Sequence, residues 1–593
     1  MNEEKRSKLF VGIILSIIVF AAFAVRFYNF HDWQYFKMDQ GRDAQLIGHA
    51  IKDGPSALPL LGPRAGATAV DNGFLRLGPA YYYFQYLSGV IFDSTDPEVF
   101  AYPDLFFSIL AIILLYFFVR LYFVQHISLL ITAMYAFSFI IIEYSRFAWN
   151  PNPLQFFVIL VFLALIKSLN AENNRAKLGW LALWALALAI GSQLHFFGFF
   201  VLVGVSGLFI LIRSEFWKKE RRTALLSLDF LKKFAIRALV FVAVFSFIYT
   251  PVIISDVMKK GENAQNFVQA LSSKPSDKPF FNKVGNNFIE NTKYYCLITT
   301  SFCNVGKLED SRIPAGFTIA LFVCAFFLAI RAMRKEHAGT RRDFLTLLFI
   351  WIVVFFILTI PVSFQLRPRF FILVFAVPFI LIGLIFDFFQ EKFPSKAMYL
   401  TVGLFAIVFG ANVTGTLAWF GEQKNSQIKD TDIERTLILK NKDGVTRGQL
   451  QAVADYMYAQ RKGKNTIYYY VKSEHLQPIR YLLNQKNDQT LKFATFSSTP
   501  NTDPDAQFFI IIPSHKDLFS MQDEFGIKFE KVSMEDAGQI NAYEIFFPNR
   551  ITSLDFKERA SDGSNDRLFW KDVFGVRNNI ETQNVIDDSS SDD

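Results

Sequence analysis

The stretch "FKMDQGRDAQ", residues 36–45, holds two carboxylates and a guanidinium within five positions: Asp39, Arg42 and Asp43. Asp43 follows Asp39 by four residues, so both carboxylates share a face if the stretch is helical, and Arg42 is placed to hold Asp39. An aspartate fixed in this way is a candidate general base, able to take a proton from an attacking nucleophile. The bland alternative is that the three charges only cap a helix.

The elements around this stretch are those of a membrane protein. The chain has 593 residues, 52% of them hydrophobic and 69 of them phenylalanine. Its mean hydropathy is +0.26. The apolar residues come in blocks of about 14–23, mostly near the length that crosses a bilayer core. They predict about eleven spans, at 9–25, 105–121, 127–142, 153–166, 178–194, 196–212, 234–254, 317–330, 344–360, 370–386 and 397–419. The start resembles a signal peptide with an A-x-A site, but its apolar run reaches Val25, which favours an uncleaved first span. The net charge of +8 does not point to nucleic acid, because many basic residues cluster in short loops between apolar blocks.

Those loops orient the bundle. "KSLNAENNRAK", "RSEFWKKERR", "RAMRKEHAGTRR" and "QEKFPSK" fall on one side together with the N-terminal "EEKRSK". That side is expected to be cytoplasmic in a multi-pass plasma-membrane protein. The opposite side receives the first loop (28–104), the "SRFAWNPN" turn, a long loop at 255–312, the "SFQLRPR" turn and everything after Trp419. The fold expected for 1–420 is thus a polytopic α-helical membrane unit. A C-terminal extracytoplasmic α/β domain should follow within 421–550. Thr446 and Gln449 make a capping box, and "NTIYYYV", "LKFATF", "QFFIII" and "AYEIFF" read as strands. Residues 551–593 end in "DDSSSDD" and read as a polar, disordered acidic tail.

Arg42, Arg64, Arg76, Arg146, Arg367 and Arg369 all lie on the outer side, against the usual charge bias. The planar guanidinium fork grips phosphate or carboxylate, so six of them favour an anionic ligand at the outer surface, such as a lipid phosphate. Taken singly, each would be solvated or paired with a headgroup. "FLRLGPAYYYFQYLS" reads as an interfacial helix with Tyr81, Tyr82, Tyr83 and Tyr86 at headgroup level, or as a simple aromatic belt. Cys296 and Cys303 share one loop; they form a bridge if that loop is extracytoplasmic, or else stand as two thiols. Asp39, Asp43 and Asp71 offer hard oxygen ligands to a divalent metal, but the first loop has no D-x-D motif, and no metal or other cofactor is assigned. His49 and His195 read as structural.

The pattern D-x-x-R-x-A after the first span, followed by a basic residue shortly before Pro-x-Tyr-Tyr, resembles the GT-C membrane glycosyltransferases. More narrowly, it is similar to the protein O-mannosyltransferase and aminoarabinose transferase group. "YSRFAWNPNP" and "RPRFFILVFAVPFI" resemble that group's outer turns and later spans. The resemblance covers roughly residues 9–420. It implies transfer of a sugar from a polyprenyl-phosphate donor on the outer face. It also implies that Asp39 is the catalytic base, that Arg42 is the motif arginine and that Arg76 binds the lipid phosphate. Arg367 or Arg369 would bind the same phosphate. The family usually has Glu after its base, where this chain has Gln40. Gln40, Asp43 and Tyr82 are supporting candidates.

The residue types suit such chemistry. A phosphate is already a good leaving group and needs positive charge rather than a proton. That leaves one task for a carboxylate, activation of the acceptor, and direct displacement inverts the anomeric centre. The expected partners are the lipid-linked donor, membrane lipids and an acceptor that is protein, lipid or envelope polymer. The alternative function is transport or flipping of lipid-linked sugars, which calls for ionisable groups or broken helices within the spans.

Overall fold

The computed structural model describes residues 3–70, 73–215, 218, 227–272, 277–303, 308–425, 444–461, 466–488, 490, 492–495, 506–548 and 567–575. The chain enters through α1 (Glu3–Phe27). The first loop then builds α2 (Met38–Asp53), a hairpin of β1 (Arg64–Val70) and β2 (Gly73–Arg76), and α3 (Ala80–Ile91). Next come α4 (Tyr102–Val119), α5 (Gln125–Ala136), α6 (Phe139–Glu143), α7 (Leu154–Asn170), α8 (Asn174–Leu194) and α9 (Phe196–Ser214). The unit continues with α10 (Leu228–Met258), α11 (Glu262–Ser272), α12 (Phe280–Thr300), α13 (Arg312–Lys335), α14 (Thr340–Thr359), α15 (Val377–Lys392) and α16 (Ala397–Asn425).

Among the described residues, eight helices are long and apolar enough to cross a membrane. A ninth span exists if the 3-10 turn Pro368–Val374 and α15, bent by 42° at their junction, count as one. The eleven expected spans are therefore too many by that criterion. α7 is apolar but has only 17 residues. The block at 127–142 breaks into α5, of 12 residues, and α6, of five. A 12-residue helix rises about 18 Å, well short of a hydrocarbon core about 30 Å thick. The break is tolerated because neighbouring helices satisfy its polar groups. Phe139 N–H donates to Asn412 Oδ1 on α16 (3.1 Å), and Ser138 Oγ donates to the Ile298 carbonyl on α12 (3.0 Å). Lipid-facing phenylalanines are plain on α1 and α10, where Phe20 and Phe247 are 75% and 77% exposed.

Near the start of α1 and at the ends of α7 and α9, described parts of the basic segments are tied to neighbouring helices. Ser7 bonds Gln125 (3.1 Å), while Asn170 and Arg213 both reach Asp343 (2.8 Å each). Arg146 of the "SRFAWNPN" turn donates to the Arg26 carbonyl at the end of α1 (2.7 Å) and lies over the Trp419 and Phe420 rings. The stretch 255–312 is not an open loop. It contains α11, packed on the hairpin, and α12, whose Asn286 donates to the Ser363 carbonyl of the "SFQLRPR" turn (2.8 Å). Cys296 and Cys303 form a disulfide at the end of α12.

The C-terminal unit has α17 (Arg447–Ala459), β3 (Thr466–Val471), α18 (Ser473–Asn484), β4 (Lys492–Thr495) and β5 (Gln507–Pro513). It closes with α19 (Ser520–Phe525), β6 (Glu530–Asp536) and β7 (Ile540–Phe546). The sheet order is β4-β3-β5-β7-β6. β4, β3 and β5 run parallel, while β7 is antiparallel to β5 and to β6. β5 reads as an unbroken apolar run because both of its faces are covered. Phe509 and Ile511 join the core beneath α17 and α18, whereas Ile510 and Ile512 pack with Met521 of α19. Thr446 N–H donates to Gln449 Oε1 (3.1 Å), closing the start of α17.

Candidate active site

α2 positions the carboxylates. Its first turn is closed by Gln40, whose Oε1 accepts the Lys37 N–H (3.2 Å). A carboxylate is not needed for that task, since a neutral amide oxygen accepts this hydrogen bond equally well. The helical spacing then places Asp39, Arg42 and Asp43 together. Arg42 NH1 reaches Asp39 Oδ1 at 3.1 Å. Its NH2 and Nε both meet Asp43 Oδ1, at 2.9 and 3.0 Å. From α3, Tyr82 Oη donates to the same Asp43 oxygen (2.9 Å).

Exposure separates the two carboxylates. The Asp39 side chain is 42% exposed, that of Asp43 only 6%. Burial pushes the Asp43 carboxyl above the usual carboxylate range, against the pull of Arg42. Burial likewise raises the Tyr82 hydroxyl, with the Asp43 charge adding to it, so Tyr82 remains a donor. Burial alone would discourage the Arg42 charge, but Asp43 and Asp39 more than offset it. Arg42 thus uses three of its five N–H groups on two carboxylates. Asp39 presents itself at the rim of a fixed, buried network.

Tyr81 and Tyr82 are both buried within the protein rather than exposed on its surface. Tyr81 Oη donates to Asp104 of α4 (2.8 Å), which fixes α3 against the bundle. Arg76 ends β2, directly across the hairpin from Arg64. The Arg76 backbone is pinned from α11: its N–H donates to Asn263 Oδ1 (2.9 Å) and its carbonyl accepts from Asn263 Nδ2 (3.2 Å). Arg64 stacks on Phe74, 4.2 Å from the ring centre.

Arg146 is buried and bonded to the carbonyls of Val25, Arg26 and Asn29, so it latches the turn to α1 rather than waiting for a ligand. Arg369 lies over Trp149 (5.8 Å), and Arg367 faces Tyr294 of α12. His195 has a structural task, accepting the Phe197 N–H (3.2 Å) at the start of α9. Among the described residues, no group of three or more His, Cys, Asp or Glu side chains is arranged to hold a metal. Asp71 lies outside the described residues.

Two contributors were not visible in the sequence. One is α18, which docks on α2: a Cβ on Gly41 would lie 2.6 Å from Pro478 N. The other is the segment 567–575, expected to belong to a disordered tail. It forms α20 (Trp570–Val573) and packs on the first loop, bringing Arg567 to 6.0 Å from the Tyr82 ring centre.

The model of the family described as "Dolichyl-phosphate-mannose-protein mannosyltransferase" matches residues 69–254, a stretch that includes Arg76 and Tyr82 but starts after α2. No curated protein matches the chain. Among solved structures, ArnT from Cupriavidus metallidurans is similar both in the apo state and bound to undecaprenyl phosphate. Each comparison gives a TM-score of 0.51 at 11% identity, covering 92% of this chain and 98% of ArnT. The Archaeoglobus fulgidus oligosaccharyltransferase tethered with an acceptor peptide gives a TM-score of 0.50 at 12% identity, over 86% of this chain and 70% of that one. The matches to ArnT, over 92% of this chain and 98% of ArnT, show that the chain shares the overall fold of that structure.

Proposed function

We propose that the protein transfers a sugar from a polyprenyl-phosphate-linked donor to an acceptor at the outer face of the membrane, inverting the anomeric centre, with Asp39 as general base. The observation that carries this reading is the exposed Asp39 carboxylate, held by a partly buried Arg42 that pairs with Asp43, whose carboxylate accepts from Tyr82 in turn. Asp39 takes the acceptor proton as the acceptor oxygen bonds to the anomeric carbon. The bond from that carbon to the phosphate oxygen breaks, and the phosphate leaves as an anion. Positive charge at the leaving group, not a second acid, lowers the barrier. Arg76 supplies it in this reading, with Arg64 across the hairpin, and Arg367 and Arg369 as further candidates. Arg42 positions the base. The bound undecaprenyl phosphate of the ArnT structure and the family description over 69–254 support a lipid-phosphate donor.

In this reading the site end lies outside the cell and the N-terminus in the cytoplasm. The clustering of basic residues in alternate loops of the sequence supports this, as does a disulfide on α12, which packs with the site-end turns. Transport is the weaker reading. The buried Arg26, at the end of the first span, is bonded to Ser108 Oγ (3.1 Å) and to the Ala136 carbonyl (2.8 Å), a structural tie rather than a relay.

The test is sugar transfer from a polyprenyl-phosphate donor by purified Asp39→Asn. Loss of a general base typically costs about 10²–10⁴-fold, so we expect transfer at least about a hundredfold slower with donor binding retained. A wild-type rate would remove Asp39 as the base.

A further inference from the structure

Residues 567–575 form a strap across the first loop. Leu60 N–H donates to the Leu568 carbonyl (2.8 Å), and Trp570 N–H donates to the Leu58 carbonyl (3.1 Å). Pro59 and Phe569 form an antiparallel bridge between these bonds. Trp570 Nε1 donates to Tyr83 Oη (2.9 Å), so strap and α3 are tied side chain to side chain. The sequence just before α20 therefore lies beside α3, and its arginine, Arg567, sits over Tyr82 with its Nε shielded from solvent.

That location matters because of the local charge. Arg42 is committed to Asp39 and Asp43, so the α2 cluster by itself holds two carboxylates against one guanidinium. A phosphate approaching Asp39 would be repelled by this net negative charge unless another cation stood by. Arg567 is a cation beside this cluster, additional to Arg76 of the donor reading: its guanidinium lies over the ring whose hydroxyl bonds Asp43. A flexible lysine would also bring charge, but the arginine fork matches phosphate oxygens two at a time.

We infer that the C-terminal strap completes the donor site, delivering Arg567 from more than 480 residues away in sequence to bind the phosphate of the lipid-linked donor beside Tyr82. This rests on the donor reading above. The strap supplies both the anchor, Trp570, and the ligand, Arg567. Binding and release of the donor are thereby coupled to docking of the chain's C-terminal segment on the first loop.

The experiment measures binding of polyprenyl phosphate to the purified full-length protein, with phosphatidylglycerol and inorganic phosphate as parallel probes. Arg567→Ala should weaken polyprenyl phosphate binding at least about tenfold at an unchanged thermal midpoint, as expected for one lost charge-assisted contact. Arg567→Lys should recover part of it. Trp570→Ala should produce the same defect with the arginine intact, and the double variant should be no worse than either single one. Wild-type binding by Arg567→Ala, with Arg76→Ala defective, would overturn the strap inference and leave the donor reading standing. An equal loss of phosphatidylglycerol binding would make Arg567 a general headgroup contact and overturn it too. No binding of polyprenyl phosphate by the wild-type protein would overturn both readings.

Discussion

Gly41→Ala is the sharpest test of whether docking of the C-terminal unit sets the position of the base. Gly41 lies in α2 between Asp39 and Arg42. A Cβ there would meet Pro478 N at 2.6 Å, Gln477 C at 2.7 Å and Pro478 Cδ at 2.8 Å. The closest atoms are backbone, so no side-chain rotation relieves the clash. Reaching an ordinary contact near 3.4 Å requires α2 and α18 to separate by about 0.8 Å. Overpacking of this kind costs about 1–3 kcal/mol, of which the better helix propensity of alanine returns about 1 kcal/mol. Stability should therefore fall only modestly. Rate should fall much more, because a displacement of about 1 Å at a reacting group can cost about 10²-fold. We expect initial rates of transfer from a polyprenyl-phosphate donor to drop about 10–100-fold. Gly48→Ala, about two turns along the same face of α2, is the control: its Cβ would meet only the Tyr481 side chain, Oη at 3.4 Å and Cε2 at 3.6 Å. It should keep full activity and gain up to about 1 kcal/mol in stability. Wild-type rates for Gly41→Ala at a similar thermal midpoint would refute the claim that α18 fixes Asp39.

Arg76→Ala should weaken use of the lipid-phosphate donor at least about tenfold in KM, and Arg76→Lys should recover part of that; equal KM values in all three proteins would take Arg76 out of the site. Asp43 has a folded pKa raised by burial, so the folded state holds its proton to higher pH than the unfolded chain and loses stability as pH rises through that window. Relative to Asp43→Asn, the wild-type thermal midpoint should therefore fall as pH rises above about 4, and parallel curves would contradict this. A cysteine at Ser473, in a Cys324→Ser background, should react with an impermeant thiol reagent in intact cells; labelling only after lysis would reverse the proposed orientation.

Sequence determined the features that depend on near neighbours along the chain. The apolar blocks gave the membrane class, because a bilayer demands a fixed length of apolar helix. Short runs of β-branched and aromatic residues located β3, β5 and β7, and one local hydrogen bond, Thr446 to Gln449, located the start of α17. The pairing of Arg42 with Asp39 was legible for the same reason, since residues three apart in a helix must meet. Hydropathy misled where a block was broken by partners distant in sequence: Asn412 and Ile298 satisfy the break after α5, and no window along the chain contains them.

Tertiary structure decided the rest, and each case turns on a contact between remote segments. Arg146 looked like a ligand arginine by its side of the membrane, but three carbonyls at the end of α1 occupy it. Gly41 carries no signal in the sequence, yet it is the point where the α18 backbone comes too close for any side chain. Arg567 stood in a polar tail with no periodic pattern to mark it. Its place over Tyr82 follows from two backbone hydrogen bonds to residues 58–60 and one from Trp570 to Tyr83. Local sequence encodes which groups a helix turn brings together; which helix another segment leans on is set by packing across hundreds of residues, and that packing assembles this site.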